Sequence, residues 1–165
     1  MHRPLAAILL LSCASLGSAQ APTTAAPGYI AEAGASDLYE KMSSQLVLQD
    51  ASKENVRKFA DMMIADHSTT TAKLTSAAQS AGMSVPPPQL MPKQQAMIDA
   101  LGKASGSARE KLYVKQQMKA HQEALALHSG YAKSGDTPAL KAVAASAVPI
   151  IEQHLAMVKS LKSEK

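Results

Sequence analysis

Apolar residues recur at intervals of three and four along most of this chain, and the rows they form contain histidines. One row runs Val56, Phe59, Ala60, Met63, His67, Leu74; a second Val114, Met118, His121, Leu125, His128; a third Ile150, Ile151, His154, Met157, Val158, Leu161. Each spacing traces one face of an α-helix. The breaks between rows delimit the elements. Helix one is expected over residues 29–49. Helix two begins after Ser52, a good N-cap, and continues to Ala81, where Gly82 stops it. The run from Met83 to Pro92 holds three successive prolines, Pro86, Pro87 and Pro88, and cannot stay helical because proline lacks the N–H donor and forces extended backbone. A short helix from Pro92 to Leu101 follows. Helix three opens at Ser107, with Glu110 three residues on as a capping box, and runs to Lys133. Thr137 caps helix four and Pro138 takes its first position; the helix reaches Lys162, with Pro149 as an internal kink.

Two helix pairs with short internal turns, joined by one long connection, predict an all-α, ferritin-like four-helix bundle with a long crossover and a short extra helix between helices two and three. In such a bundle His67, His121 and His154 enter from three different helices, and Glu40 enters from the fourth. Burying an imidazole without a partner costs on the order of 1–3 kcal/mol. The rows therefore predict a polar site inside the bundle. His128 shares the face of His121 but falls near the bundle end, where solvent is expected to reach it. Asp37, one turn before Glu40, is a reserve carboxylate. Asp66 points off the face of His67 and suits an outer-shell role. Tyr39 and Tyr113 offer phenol partners.

The N-terminus changes the picture of where this bundle works. Arg3 followed by the apolar run Leu5 to Leu11 reads as an export signal over residues 1–19. A membrane span needs roughly 20 apolar residues, and no segment here supplies them. Cleavage after Ala19 competes with lipidation of Cys13, because Leu10-Leu11-Ser12-Cys13 resembles a bacterial lipobox. Residues 20–28, of Pro and small residues, read as a flexible leader ahead of a domain over 29–162. A periplasmic or secreted protein is expected, with an outer-membrane lipoprotein as the alternative. Cys13 is the single cysteine, so the mature domain has no disulfide to form.

Charge and composition exclude several functions. The 17 basic residues are scattered among 13 acidic ones, and one Phe, four Tyr and no Trp leave no platform on which bases could stack. Nucleic acid is not an expected partner. There is no nucleophile elbow, no mature cysteine and no Gly-rich phosphate loop, which removes hydrolase and nucleotide-binding readings.

Several stretches together resemble a known family: Tyr29-Ile30-Ala31-Glu32-Ala33 leading to Glu40, Val56-Arg57-Lys58-Phe59-Ala60 leading to Met63-Ile64-Ala65-Asp66-His67, Tyr113 leading to His121, and Pro149 leading to His154-Leu155. The chain is similar to the bacterial secreted ferritin-like proteins grouped as domain of unknown function 4142. The resemblance spans roughly residues 29–161. It implies a ferritin-like fold, export and no established activity, with Glu40, Asp66, His67, His121 and His154 matching the family's recurrent polar residues. Ala120 departs from the pattern, which usually has an acid before the histidine of helix three.

What the interior residues could do follows from ligand chemistry. Di-iron sites need four carboxylates and two histidines, with Glu-x-x-His pairs on facing helices, and this chain has no Glu-x-x-His. Glu40 with His67, His121 and His154 suits a single Zn²⁺ or Cu²⁺ ion instead. Met63, Met118 and Met157 each stand within one turn of a histidine and would favour Cu(I). The competing readings are a metal-free hydrogen-bonded network and gap-filling methionines. The expected protein is an exported, non-catalytic bundle with an interior Glu/His site, serving metal handling or envelope stress. Its alternatives are a metal-dependent redox enzyme of the ferritin-like class and a helical interaction module.

Overall fold

The computed structural model describes residues 25–163, which form five helices and no strand: α1 (Ala26–Leu48), α2 (Glu54–Ser80), α3 (Pro92–Lys103), α4 (Gly106–Ser134) and α5 (Pro138–Ser163). The expected export signal over residues 1–19, Cys13 and most of the expected leader lie outside the described residues. With Pro27 in its first turn, α1 starts at Ala26, so residues 26–28 are helical rather than part of a leader. No helix among the described residues is long and apolar enough to cross a membrane.

Short turns fold α1 against α2 and α4 against α5 as antiparallel pairs. The pairs also meet, α1 on α4 and α2 on α5. Contacts between α1 and α4 run in opposite senses, from Tyr29–His128 through Tyr39–Gln116 to Ser44–Tyr113. On α2 and α5, Phe59 clusters with Val158, and Leu74 with Leu140. Every adjacent pair is thus antiparallel, and α2 and α4 point the same way across the diagonal. The chain must therefore climb the length of the bundle between them. It does so through residues 81–105, with α3 lying on α1 and α4. Gly82, at φ 76°, opens the climb: its N–H reaches the Gln79 carbonyl and that of Met83 the Ala78 carbonyl, each at 2.9 Å, closing the last turn of α2. Gly34 lets the polyproline segment lie close, since a Cβ there would sit 3.2 Å from Pro88.

The starts of α2 and α4 are completed from across the bundle, which corrects the local caps expected at Ser52 and Ser107, while α5 begins at Pro138 as expected. The N-cap position of α2 is Lys53, and Ser52 and Lys53 donate their N–H groups to the Glu110 carboxylate of α4. Glu110 is therefore not closing a capping box with Ser107; α4 begins at Gly106, whose N–H donates to Asp50 at 2.7 Å. Asp136, in the α4–α5 turn, accepts the Ala26 N–H that opens α1. Arg109 finishes helix ends, donating to the carbonyls of Leu46 at the end of α1 and of Leu101 and Ala104 at the end of α3.

The core divides into apolar ends and a polar waist. Val47, Phe59, Met63, Leu101, Tyr113 and Val158 cluster at one end. Tyr29, Ile30, Leu74, Tyr131 and Leu140 cluster at the other, where Tyr29 and Tyr131 stack at 3.9 Å. Between them Asp37, Glu40, His67, Gln117, His121, His128 and His154 are all buried.

Candidate metal centre

Three helices bring His67, His121 and His154 together, and one ring nitrogen from each lies within 4.8 Å of the others. The ring centroids are 5.2 to 5.8 Å apart. What each imidazole does with its other nitrogen decides the chemistry. His67 Nδ1 lies 2.8 Å from Asp37 Oδ1, His121 Nδ1 lies 3.0 Å from the Gln117 carbonyl one turn earlier, and His154 Nε2 lies 3.1 Å from Asp66 Oδ2. Carboxylates and carbonyls accept hydrogen bonds, so these contacts favour the tautomer in which each of these nitrogens carries the proton and donates. The lone pairs are then left on His67 Nε2, His121 Nε2 and His154 Nδ1. His121 Nε2 and His154 Nδ1 face each other at 3.2 Å. His67 Nε2 is buried without a hydrogen-bond partner among the described residues. In the neutral rings these three nitrogens are acceptors turned toward one another, a geometry that could hold a cation once any proton shared between them is displaced.

The surroundings hold this arrangement. Asp37 also accepts from Thr70 and Thr71, which pins the carboxylate that orients His67. Burial draws the His67 ring down, but the hydrogen bond to Asp37 and the nearby acids outweigh it and hold its pKa above the usual histidine value. Burial lowers His121 to about 3, and the other two histidines push the same way. His154 is also lowered by burial, in part offset by Asp66. The 3.6 Å approach of Glu40 Oε1 to His121 Nδ1 is thus a contact with a neutral ring.

Glu40 is buried, and burial raises its carboxyl to about 7 against the pull of His67 and Gln117. It lies behind His121, on the side of the Gln117 carbonyl, and is not among the three groups that converge. Its Oε2 and Gln117 Oε1 are both buried without hydrogen-bond partners among the described residues. Asp37 and Asp66 are the carboxylates that grip the rings. Met63 is fully buried, and Met118 is partly buried against the core. Met157 is 43% exposed, which removes it from the interior row; Val158 takes the inward position. His128 is 8% exposed rather than open to solvent, because Tyr29 Oη covers its Nδ1 at 3.0 Å. Tyr39 bonds to Gln116, and Tyr113 to Ser44. The residues that sequence reasoning missed are Gln117, Thr70 and Thr71. The one-turn offset of Gln117 from His121 was the available signal for the first.

Solved structures share this architecture at low identity. CopM in the Cu(II)-bound form superposes with a TM-score of 0.71 at 17% identity, covering 84% of this chain and 95% of that one. A DUF305 fragment from Deinococcus radiodurans gives 0.74 at 12% identity, covering 85% and 96%. A DUF305 protein from Streptomyces coelicolor gives 0.70 at 15%, covering 82% and 89%. These likenesses establish a common helical-bundle fold. No curated protein matches the sequence significantly. The family described as Domain of unknown function (DUF4142) matches residues 12–161, nearly the whole chain, and the protein belongs to that family.

Proposed function

We propose that this protein is an exported, ferritin-like metal-binding bundle that holds one copper or zinc ion between His67, His121 and His154 and handles that metal in the cell envelope. The observation that carries the reading is the convergence of three imidazole lone pairs whose other nitrogens are committed to Asp37, Gln117 and Asp66. Ligating histidines are oriented by such partners in metalloproteins. Nitrogens about 2.0–2.1 Å from a tetrahedral ion stand about 3.3 Å from one another, close to the 3.2 Å between His121 and His154. A donor set of imidazoles without thiolate suits Zn²⁺ and Cu²⁺. The likeness to CopM, a protein described with bound Cu(II), favours copper. The diagonal crossover between α2 and α4 supports the ferritin-like assignment. Glu40, behind His121, would serve as a charge reserve rather than a ligand.

Metal titration with elemental analysis tests this. One ion per chain is expected, with nitrogen coupling in the Cu(II) spin-resonance spectrum, and His121→Ala should abolish binding while the chain stays helical. If no ion binds better than roughly micromolar, about 8 kcal/mol, and the His67→Ala/His154→Ala variant is equally destabilised in chelator, the histidines form a proton-bridged structural network instead.

A further inference from the structure

The histidines are not equally enclosed on all sides. On one side the Phe59 ring packs against His121 and His154 at 6.3 and 6.4 Å, with Tyr113 behind it at 6.2 Å. Both aromatic side chains are buried, so this side is sealed. On another side a cavity of about 20 Å³ touches His67 and His154, enough for one water. Its walls include Asp66 and Thr70 of α2 and Ala147, Ile150 and Ile151 of α5. The Asp66 side chain is 42% exposed while its Oδ2 grips His154, so a single carboxylate touches both solvent and the cluster.

Between the α5 residues that line this cavity stands Pro149, the one proline inside a helix body among the described residues. Pro149 has no N–H, so the Ala145 carbonyl one turn earlier loses its helical partner. Both residues are exposed, and water can take up that carbonyl. The helix is therefore weakest over the stretch that supplies Ala147, Ile150 and Ile151 to the cavity. The facing part of α2 has no proline or glycine.

We infer that metal cations reach the histidines through the seam between α2 and α5, with Asp66 as first contact and the proline-weakened turn of α5 as the part that yields. This rests on the histidines holding an ion, as proposed above. Space for one water does not admit a hydrated ion, so the seam must part as the ion exchanges water for protein ligands. Asp66 draws the cation to the seam, and its hydrogen bond to His154 leads directly to the first imidazole.

Loading and release rates test this with the intact protein. Cu²⁺ is mixed in by stopped flow and followed by the copper absorption, and release is driven by excess chelator. Pro149→Ala restores the N–H, so it should slow loading and release alike by about tenfold, equal to about 1.4 kcal/mol of added barrier, with the dissociation constant unchanged. Ala147→Leu, which narrows the seam, should do the same. Asp66→Asn should slow loading and flatten its dependence on salt. Wild-type rates in both Pro149→Ala and Ala147→Leu overturn the inference. So does a loss of affinity without a common slowing of both rates, because the segment then shapes the site instead of gating it. Stoichiometry is measured first: if the wild type binds no ion, the metal reading itself has failed and the port falls with it.

Discussion

Metal binding to the histidine cluster should stabilise the fold with a pH dependence set by one histidine rather than three. At a hundredfold excess over the dissociation constant, an ion bound only by the native state adds about 2.7 kcal/mol. With an unfolding entropy of about 2.1 cal/mol/K per residue over a domain this size, the midpoint should rise by about 9 °C. Acid reduces the gain wherever the ion must displace a proton. His121, held at about 3, and His154, also lowered, stay neutral through mild acid and release nothing. His67 is different, because its pKa is raised in the folded state. Below that raised value the ion displaces one proton and the gain falls by about 1.36 kcal/mol per pH unit. Two units below it the stabilisation is gone. Three ordinary histidines would give a slope of about 4 kcal/mol per unit. Glu40, at about 7, adds a second release as the ion's charge drives it to ionise, and Glu40→Gln removes that contribution. Circular-dichroism melts of the wild type and Glu40→Gln, at fixed free Zn²⁺ from pH 5 to 8, give the slopes. A slope near three protons in Glu40→Gln, or a metal gain that survives His121→Ala, would refute the reasoning.

Four further outcomes are expected. Asp37→Asn should weaken metal affinity by about 10- to 100-fold in a chelator competition, since an amide can turn its own N–H toward His67 Nδ1 and undo the tautomer. Arg109→Leu should cost about 3–5 kcal/mol in urea unfolding, because it strips three helix-end carbonyls and the carboxylate of Asp50 of a buried guanidinium. Gly135→Ala should also destabilise, and visibly shift the near-ultraviolet tyrosine signal, because the added Cβ would come within 2.5 Å of the Tyr131 ring. The metal-free protein should lose stability as pH falls from about 6.5 toward 4: burial holds folded His128 at about 4, so the unfolded chain takes up a proton the folded one refuses. His128→Asn should remove about 3 kcal/mol of that decline in melts at pH 4 and 7, and an unchanged decline would count against it.

The parts of the site legible in the sequence are those written as helical spacing. His67, His121 and His154 stand in register with apolar neighbours, so their meeting could be anticipated from three rows. Met157 failed because positions three and four beyond His154 diverge across the face, and Val158 is the residue turned inward. The buried face of α1 passes through Tyr29, Ala33, Asp37, Glu40 and Ser44, too small and polar for hydrophobic periodicity to reveal. The division between the converging histidines and the groups that hold them was not legible either. It depends on which nitrogen of each ring meets an acceptor, and Asp66 serves His154 from 88 residues away. Local caps were misassigned for the same physical cause: Ser52 and Ser107 look like helix starts in isolation, while the acids that complete those starts arrive from the opposite pair.

That exchange of caps makes the two helical hairpins incomplete as separate pieces. The α1–α2 turn carries Asp50, which finishes α4, and α4 carries Glu110, which finishes α2. Each half presents bare backbone donors until it meets the other, and each holds the carboxylate that the other lacks. A break in the crossover would therefore leave two fragments matched by chemistry as well as by shape, able to satisfy each other and poorly satisfied by a second copy of themselves. Pairing of unlike halves is encoded at the helix ends, independently of the histidines at the waist.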